Sequence, residues 1–303
     1  MPPEAHDTVN RIVLLALLAL SLLMVGSESY LRLSGDGLGC EPWPHCYGSE
    51  EAAAQARHSA GAAALRAIGA VAPAGVAAIV LGWLMWGWQK LARGERASAG
   101  LLLLTTAVFA SSARSGAVAI PWQALLHVLA GLAVVALTMA LLLRASEPQA
   151  LPCSRQRALA AAAVLVLLQV STGVLISVRG AGAACAVACT YLWVPGLAAA
   201  LDPFTPGSAI DLARNTAAGQ PLQAWHRLGG MLVAMAAVAA GLLAVGGRAG
   251  LRIVVLAATT ALLGFVVAAN DGPVIAVVAH TLSAAGLLGL MVAVLLTRAR
   301  SQR

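Results

Sequence analysis

The chain has 303 residues, of which 60% are hydrophobic and only 10% charged, and its formal net charge is +7. Soluble domains carry roughly 25% charged residues, so this composition excludes an ordinary soluble globule and predicts an all-α integral membrane protein. The positive charge is not a nucleic-acid signature, because the basic residues divide by side of the membrane instead of gathering in one patch.

A helix needs about 20 residues to cross a bilayer. Apolar runs near that length fall, in chain order, at 10–27, 60–87, 99–113, 122–143, 157–178, 223–246, 251–269 and 275–297. Eight transmembrane helices are therefore predicted. The third is the weakest, interrupted by Ser111, Ser112, Arg114 and Ser115 before Pro121 opens the fourth. The first follows a polar leader with Glu4 and Asp7 and no early basic cluster, so it is expected to be a retained helix and not a cleaved signal peptide.

With the N-terminus in the cytoplasm, 12 of the 19 Lys and Arg residues, among them Arg11, Lys90, Arg144 and Arg248, fall on the inner side. The positive-inside rule then predicts a multi-pass protein of the cell inner (plasma) membrane with both termini cytoplasmic. Two long loops, about 28–57 and 179–222, lie outside. Those loops carry Cys40 with Cys46 and Cys185 with Cys189, whereas Cys153 lies in a short inner loop. The outer thiols can form disulfides. Each outer pair is open to two roles, a structural staple or a redox couple.

The chain also repeats itself. Gly35-Asp-Gly-Leu-Gly-Cys40 follows the first helix and Gly180-Ala-Gly-Ala-Ala-Cys185 follows the fifth, sharing G-x-G-x-x-C. Gln55-Ala-Arg-His58 opens the second helix and Gln223-Ala-Trp-His226 opens the sixth. His127 and His280 then open the fourth and eighth. Two tandem four-helix halves result, 1–150 and 151–303. The glycine-rich loops neither follow a strand nor open a helix, so they are not nucleotide-binding motifs.

Imidazoles inside a bilayer are costly unless paired or ligated. Because successive helices alternate direction, His58, His127, His226 and His280 are expected near the outer face. Two histidines on facing helices suit bis-axial ligation of haem iron, making these four the metal-ligating candidates. Small residues follow each: Ser59 to Ala64 after His58, Ala130 and Gly131 after His127, Gly229 and Gly230 after His226, Ser283 to Gly286 after His280. They leave room for a porphyrin, or simply permit close helix packing. Arg57 and Arg227 are candidates for haem propionates or for interfacial anchors. His6 in the leader and His45 in the first loop are expected to be solvated surface residues.

The segment Tyr30-Leu-Arg-Leu-Ser-Gly-Asp-Gly-Leu-Gly-Cys-Glu-Pro-Trp-Pro-His-Cys-Tyr-Gly48, with Trp225-His-Arg227 and Ala279-His280 in an eight-helix frame, resembles haem A synthase. The resemblance extends over nearly the whole chain. It implies an oxidoreductase that converts the C8 methyl of haem O to the formyl group of haem A for cytochrome oxidase assembly. Substrate haem O would sit between His58 and His127, and a resident haem b between His226 and His280. Cys40 and Cys46 match the family's first cysteine pair, associated with redox events at the outer face, and Cys185 and Cys189 match the second.

One departure bears on catalysis: Gln55 stands where the family has a glutamate, and an amide cannot carry a proton as a carboxylate does. Glu51, seven residues before His58, is an alternative carboxylate if the helix extends that far. Two further readings follow, a non-catalytic oxidase-assembly or haem-handling protein of the same fold, and a dihaem b-type electron carrier. Expected partners are membrane lipid, a haem O supplier resembling haem O synthase, another copy of the chain, and an electron donor that is a quinol or a thiol relay; nucleic acid is not expected.

Overall fold

The computed structural model describes residues 3–34, 60–87, 91–112, 121–144, 151–179, 181, 185, 197–205, 219–269 and 274–298. These residues form eight long helices and one short one: α1 (Pro3–Ser34), α2 (Ala60–Gly87), α3 (Arg93–Ser112), α4 (Pro121–Arg144), α5 (Cys153–Val178), α6 (Leu197–Leu201), α7 (Gly219–Ala239), α8 (Gly247–Ala269) and α9 (Val274–Arg298). No strand occurs among the described residues.

The helices begin and end where side-chain chemistry requires. Pro121 supplies the preset φ favoured at a first helical position. At the start of α3 the Glu95 carboxylate accepts from the Ala92 backbone N–H at 2.8 Å, a cap for an otherwise unsatisfied donor. α2 contains Pro73, which removes one backbone donor from its interior. Buried hydroxyls within the helices bond back to the preceding turn: Ser21 donates to Leu17 O, Thr106 to Leu102 O and Thr138 to Val134 O.

Seven helices are long and apolar enough to cross a membrane. α3 is the exception among the eight expected. Its first turn carries Arg93, Glu95 and Arg96, and Thr105, Thr106, Ser111 and Ser112 dilute the remainder, so its uninterrupted apolar stretch is too short. Of the eight spans expected, seven correspond to apolar helices of spanning length among the described residues, and the third, expected to be the weakest, is the mixed helix α3.

The first four long helices pack in a ring, α1 and α3 each against both α2 and α4. The last four form a second ring, α5 and α8 each against both α7 and α9. The rings meet chiefly through α4 against α9, with α1 also on α9 and α4 on α5. One core fills the first ring with Leu17, Met24, Val80, Leu102, Phe109 and Val134. Another runs from α4 through the second ring and includes Leu159, Val166, Ile253, Leu288 and Met291.

Tight contacts fix the register between helices. A Cβ on Gly289 would lie 2.7 Å from Met139 Sδ, so α9 needs glycine there to approach α4. Between α7 and α8 the chain continues α7 as a π-helical turn, Ala240–Val245, then reverses through Gly246 and Gly247 at φ 63° and 57°. Both angles lie in the left-handed region that favours glycine.

Candidate functional site

His127, His226 and His280 all lie in the first half of their helices, on α4, α7 and α9. Val25 and Gly26 of α1 meet Gly131 of α4 and Leu282 of α9 respectively. His127 and His280 therefore sit at one end of the bundle. α7 and α9 occupy opposite corners of the second ring, and His226 and His280 are close enough for the charge of one to reach the other.

Hydrogen bonds fix the ring of His226. Thr172 Oγ1 of α5 lies 2.8 Å from both Gln169 O and His226 Nδ1. Gln169 Nε2 donates to the His226 carbonyl at 2.6 Å and to Nδ1 at 2.9 Å. An amide nitrogen only donates, so Nδ1 accepts and the ring proton is on Nε2. Gly173 permits this seat, since a Cβ there would stand 3.1 Å from His226 Cε1.

His280 is also held through Nδ1, by a different helix. Its Nδ1 lies 2.9 Å from Thr260 O, a carbonyl that can only accept. Gly264 of α8 leaves the space for the ring, where a Cβ would be 3.1 Å from Cε1. Thr260 and Ser283 share a hydroxyl–hydroxyl bond of 2.8 Å beside it. Both rings are half-buried. Both are anchored through Nδ1, but only His280 donates from it, so the Nε2 lone pair is available on His280, whereas Nε2 of His226 carries the ring proton.

The two imidazoles stand on opposite corners of one ring of helices, and ligation of a haem iron through both Nε2 atoms would require the His226 proton to move from Nε2 to Nδ1 and the Gln169 amide to turn away. Not all the small residues serve as space for a porphyrin. Cβ atoms on Gly229 and Gly230 would meet the Gln169 side chain at 2.8 and 3.2 Å, so those glycines admit the anchor of His226. Arg227 donates to the Cys185 carbonyl at 2.9 Å, tying α7 to the loop before it. Cys185 is buried and disulfide-bonded, its sulfur 3.6 Å from Gln220 O. Cys153 is free and exposed.

His127 is seated differently. It is 6% exposed and stacks on Phe109, with ring centroids 3.9 Å apart and planes at 27°. Nδ1 faces Phe109 O and Ser112 Oγ, each at 3.0 Å, while Nε2 lies 3.5 Å from a carboxylate oxygen of Glu28 on α1. Ser112 donates to Phe109 O at 3.0 Å, so both of these oxygens accept from Nδ1–H. Gly131, one turn on, is already occupied, since a Cβ would meet Phe109 at 3.1 Å and Val25 at 3.2 Å.

Cys40, Cys46, Glu51, Gln55, Arg57, His58 and Cys189 lie outside the described residues, as does His45. Among the described residues no group of three or more His, Cys, Asp or Glu gathers as a direct metal site. Sequence reasoning passed over Gln169, Thr172, Thr260 and Glu28. A signal existed for the first two: Gln169 and Thr172 are three residues apart in an apolar run and so share a helix face.

At the same end, Arg179 caps α5 and donates to Ala200 O at 2.7 Å and Asp202 O at 2.6 Å. Burial pushes its guanidinium below the usual range, opposed by the Asp202 charge. The Asp202 carboxylate accepts from Phe204 N at 3.0 Å and Thr205 Oγ1 at 2.7 Å, and these bonds hold its pKa below the ordinary carboxylate value. The Trp122 N–H donates to Pro203 O at 2.9 Å, fastening this turn to the start of α4. No protein-family model matches the chain, and no curated protein matches it.

Proposed function

We propose that this chain is a multi-pass membrane protein that holds haem between His226 and His280 and acts as a haem A synthase-like oxidoreductase on haem O. The observation that carries the haem reading is the pair itself, two imidazoles on opposite helices of one ring, each held through Nδ1. Membrane residence is supported by seven apolar helices and by large side chains left outward, such as Ile275, Phe265 and Leu243 at 77%, 70% and 75% exposure. A tandem origin is supported by the matching rings of helices and by a recurring bond: His127 Nδ1 to a carbonyl of α3, His280 Nδ1 to a carbonyl of α8.

Bound haem would supply the one-electron and oxygen chemistry that the chain's own side chains lack. The protein's part is positional. Thr260 O would hold the His280 tautomer, Gln169 and Thr172 would fix the His226 ring, and α7 and α9 would supply one ligand each. Substrate haem O would enter the first ring at His58 and His127 with Arg57 as a propionate partner, Arg227 would serve the haem at His226, Gln55 and Glu51 are the candidate catalytic residues, and the pairs Cys40–Cys46 and Cys185–Cys189 would serve redox or stapling roles outside.

The second reading is a haem-handling or oxidase-assembly protein without turnover. Two observations favour it: Gln55 in place of a carboxylate, and a His127 whose nitrogens are already engaged. Co-expression with a haem O source, followed by acid extraction and chromatography, separates the two. The enzyme yields haem A only when this chain is present. Bound haem b without haem A would transfer the proposal to the second reading, and a protein with no haem would end both.

A further inference from the structure

We propose that the groove between α4, α8 and α9 binds an anionic phospholipid, with one acyl chain between the helices and the head-group phosphate at Arg252. This rests on the membrane reading above, is independent of haem, and goes beyond both by naming a ligand and its site.

The groove follows from how three helices meet. α4 and α8 both pack on α9 but make little direct contact with each other, so a gap remains between them with α9 as its floor. It measures about 410 Å³, within the roughly 300–1,000 Å³ of small-molecule sites. Met139, Leu142 and Leu143 form one wall, the exposed Leu251 and Val255 the other, and the buried Leu290 the floor. Arg252 is the one charged residue in the lining, and no hydroxyl, amide or imidazole side chain joins it. Such walls suit a hydrocarbon chain and offer a polar solute no partners.

Charge selects among hydrocarbon ligands. Met139 and Leu290 lie in the second halves of α4 and α9, whose first halves carry His127 and His280, so the groove opens toward the other end of the bundle. Arg248 and Arg252 stand there, both exposed and one turn apart on α8. Arg144 and Arg298 are the last residues of α4 and α9, so all three helices of the groove carry arginine at this end. None of the three contains Asp or Glu. Among the described residues neither Arg248 nor Arg252 has an ion-pair partner.

An arginine at such a rim lays its methylenes along apolar surface and presents its guanidinium to the head-group layer, where it forks onto phosphate oxygens. A net negative head group completes the charge. The amine of a zwitterionic one would face arginines with no carboxylate to receive it. The positive-inside rule makes this the cytoplasmic face, the leaflet whose anionic lipids attract basic residues.

The test is native mass spectrometry of the full-length protein, delipidated in detergent and titrated with phosphatidylglycerol or with phosphatidylcholine of the same chains. Wild type should bind one phosphatidylglycerol at least about fivefold more tightly than phosphatidylcholine. Arg252→Gln should weaken the phosphatidylglycerol by about fivefold and leave phosphatidylcholine unchanged. Val255→Trp, which fills the groove from an exposed position, should lose the tight lipid altogether. Arg157→Gln, at an exposed arginine near the start of α5 and outside the groove, should change nothing. Helical circular dichroism and the thermal unfolding midpoint show that each variant is folded, and Val255→Phe replaces Val255→Trp if the latter is unstable.

Equal affinity of wild type for the two lipids, a phosphatidylglycerol site untouched by Arg252→Gln or by the filled groove, or an equal loss in Arg157→Gln overturns the site. A wild-type chain that stays in the aqueous fraction without detergent overturns the membrane reading instead.

Discussion

At the residue scale, the second histidine pair is defined by what holds each ring. Thr260 O takes the His280 Nδ1 proton, Gln169 and Thr172 hold His226 Nδ1, and Gly173 and Gly264 leave the space in which the rings lie. Outer partners of this kind are worth roughly 10- to 100-fold in metal affinity. Thr172→Val keeps the shape and removes the hydroxyl beside Nδ1, so haem affinity should fall by about tenfold, read from haemin competition with an apo-globin acceptor. Gly264→Val places a branched side chain against His280, where even a Cβ stands 3.1 Å from Cε1. Its low-spin signal should weaken or broaden while Gly61→Ala, with nothing within 4 Å of the added Cβ, leaves the signal unchanged. Equal spectra for both glycine variants would count against this seat. The histidines themselves stood out in the sequence because an imidazole in an apolar run is conspicuous. Their partners did not, because a backbone carbonyl has no sequence signature and Thr172 is an ordinary helix residue until its neighbour is known.

At the scale of elements, hydropathy located the helices well and their limits less well. The run expected at 251–269 is α8, Gly247–Ala269, and that at 223–246 is α7 with its π-helical continuation. The π turn was not legible, since it arises from the close crossing of α7 on α8. A Cβ on Gly250 would collide with the Gly241 carbonyl, which leaves α8 no room for a side chain there. α3 was recognisable as the weak member of the set, yet its charged first turn counts for more than the serines at its end. The α7–α8 junction makes a prediction of its own. Gly246, at φ 63° and ψ −179°, is in a region open essentially only to glycine. Gly246→Ala should therefore destabilise the fold by about 1–3 kcal/mol, seen as a lower thermal unfolding midpoint in detergent. An unchanged midpoint would mean that the junction rearranges freely.

At the scale of the whole molecule, two rings of four helices share the α4–α9 seam and carry their histidines at one end. The duplicated motifs raised the expectation of a two-part arrangement. They did not foretell its asymmetry, which comes from Glu28 reaching across from α1 to His127. The turn at Asp202 closes the same end and has its own pH limit. Its carboxylate is held below the unfolded value of about 3.9, first by the Phe204 N–H and then by Thr205. A depressed carboxylate stabilises above the unfolded pKa, and the contribution is lost as pH falls through the folded one. Protection of 197–205 from hydrogen exchange, corrected for intrinsic rates, should hold between pH 7 and about 5 and fall below about 4. Asp202→Asn should lessen that dependence.

The central claim, that His226 and His280 hold a haem between opposite helices of the second ring, is tested most directly by the absorption spectrum and haem content of the purified chain. The account predicts a six-coordinate low-spin spectrum with about one tightly held haem per chain, lost in both His226→Ala and His280→Ala. A chain purified without haem despite ample supply, or one whose spectrum survives both substitutions, would contradict it.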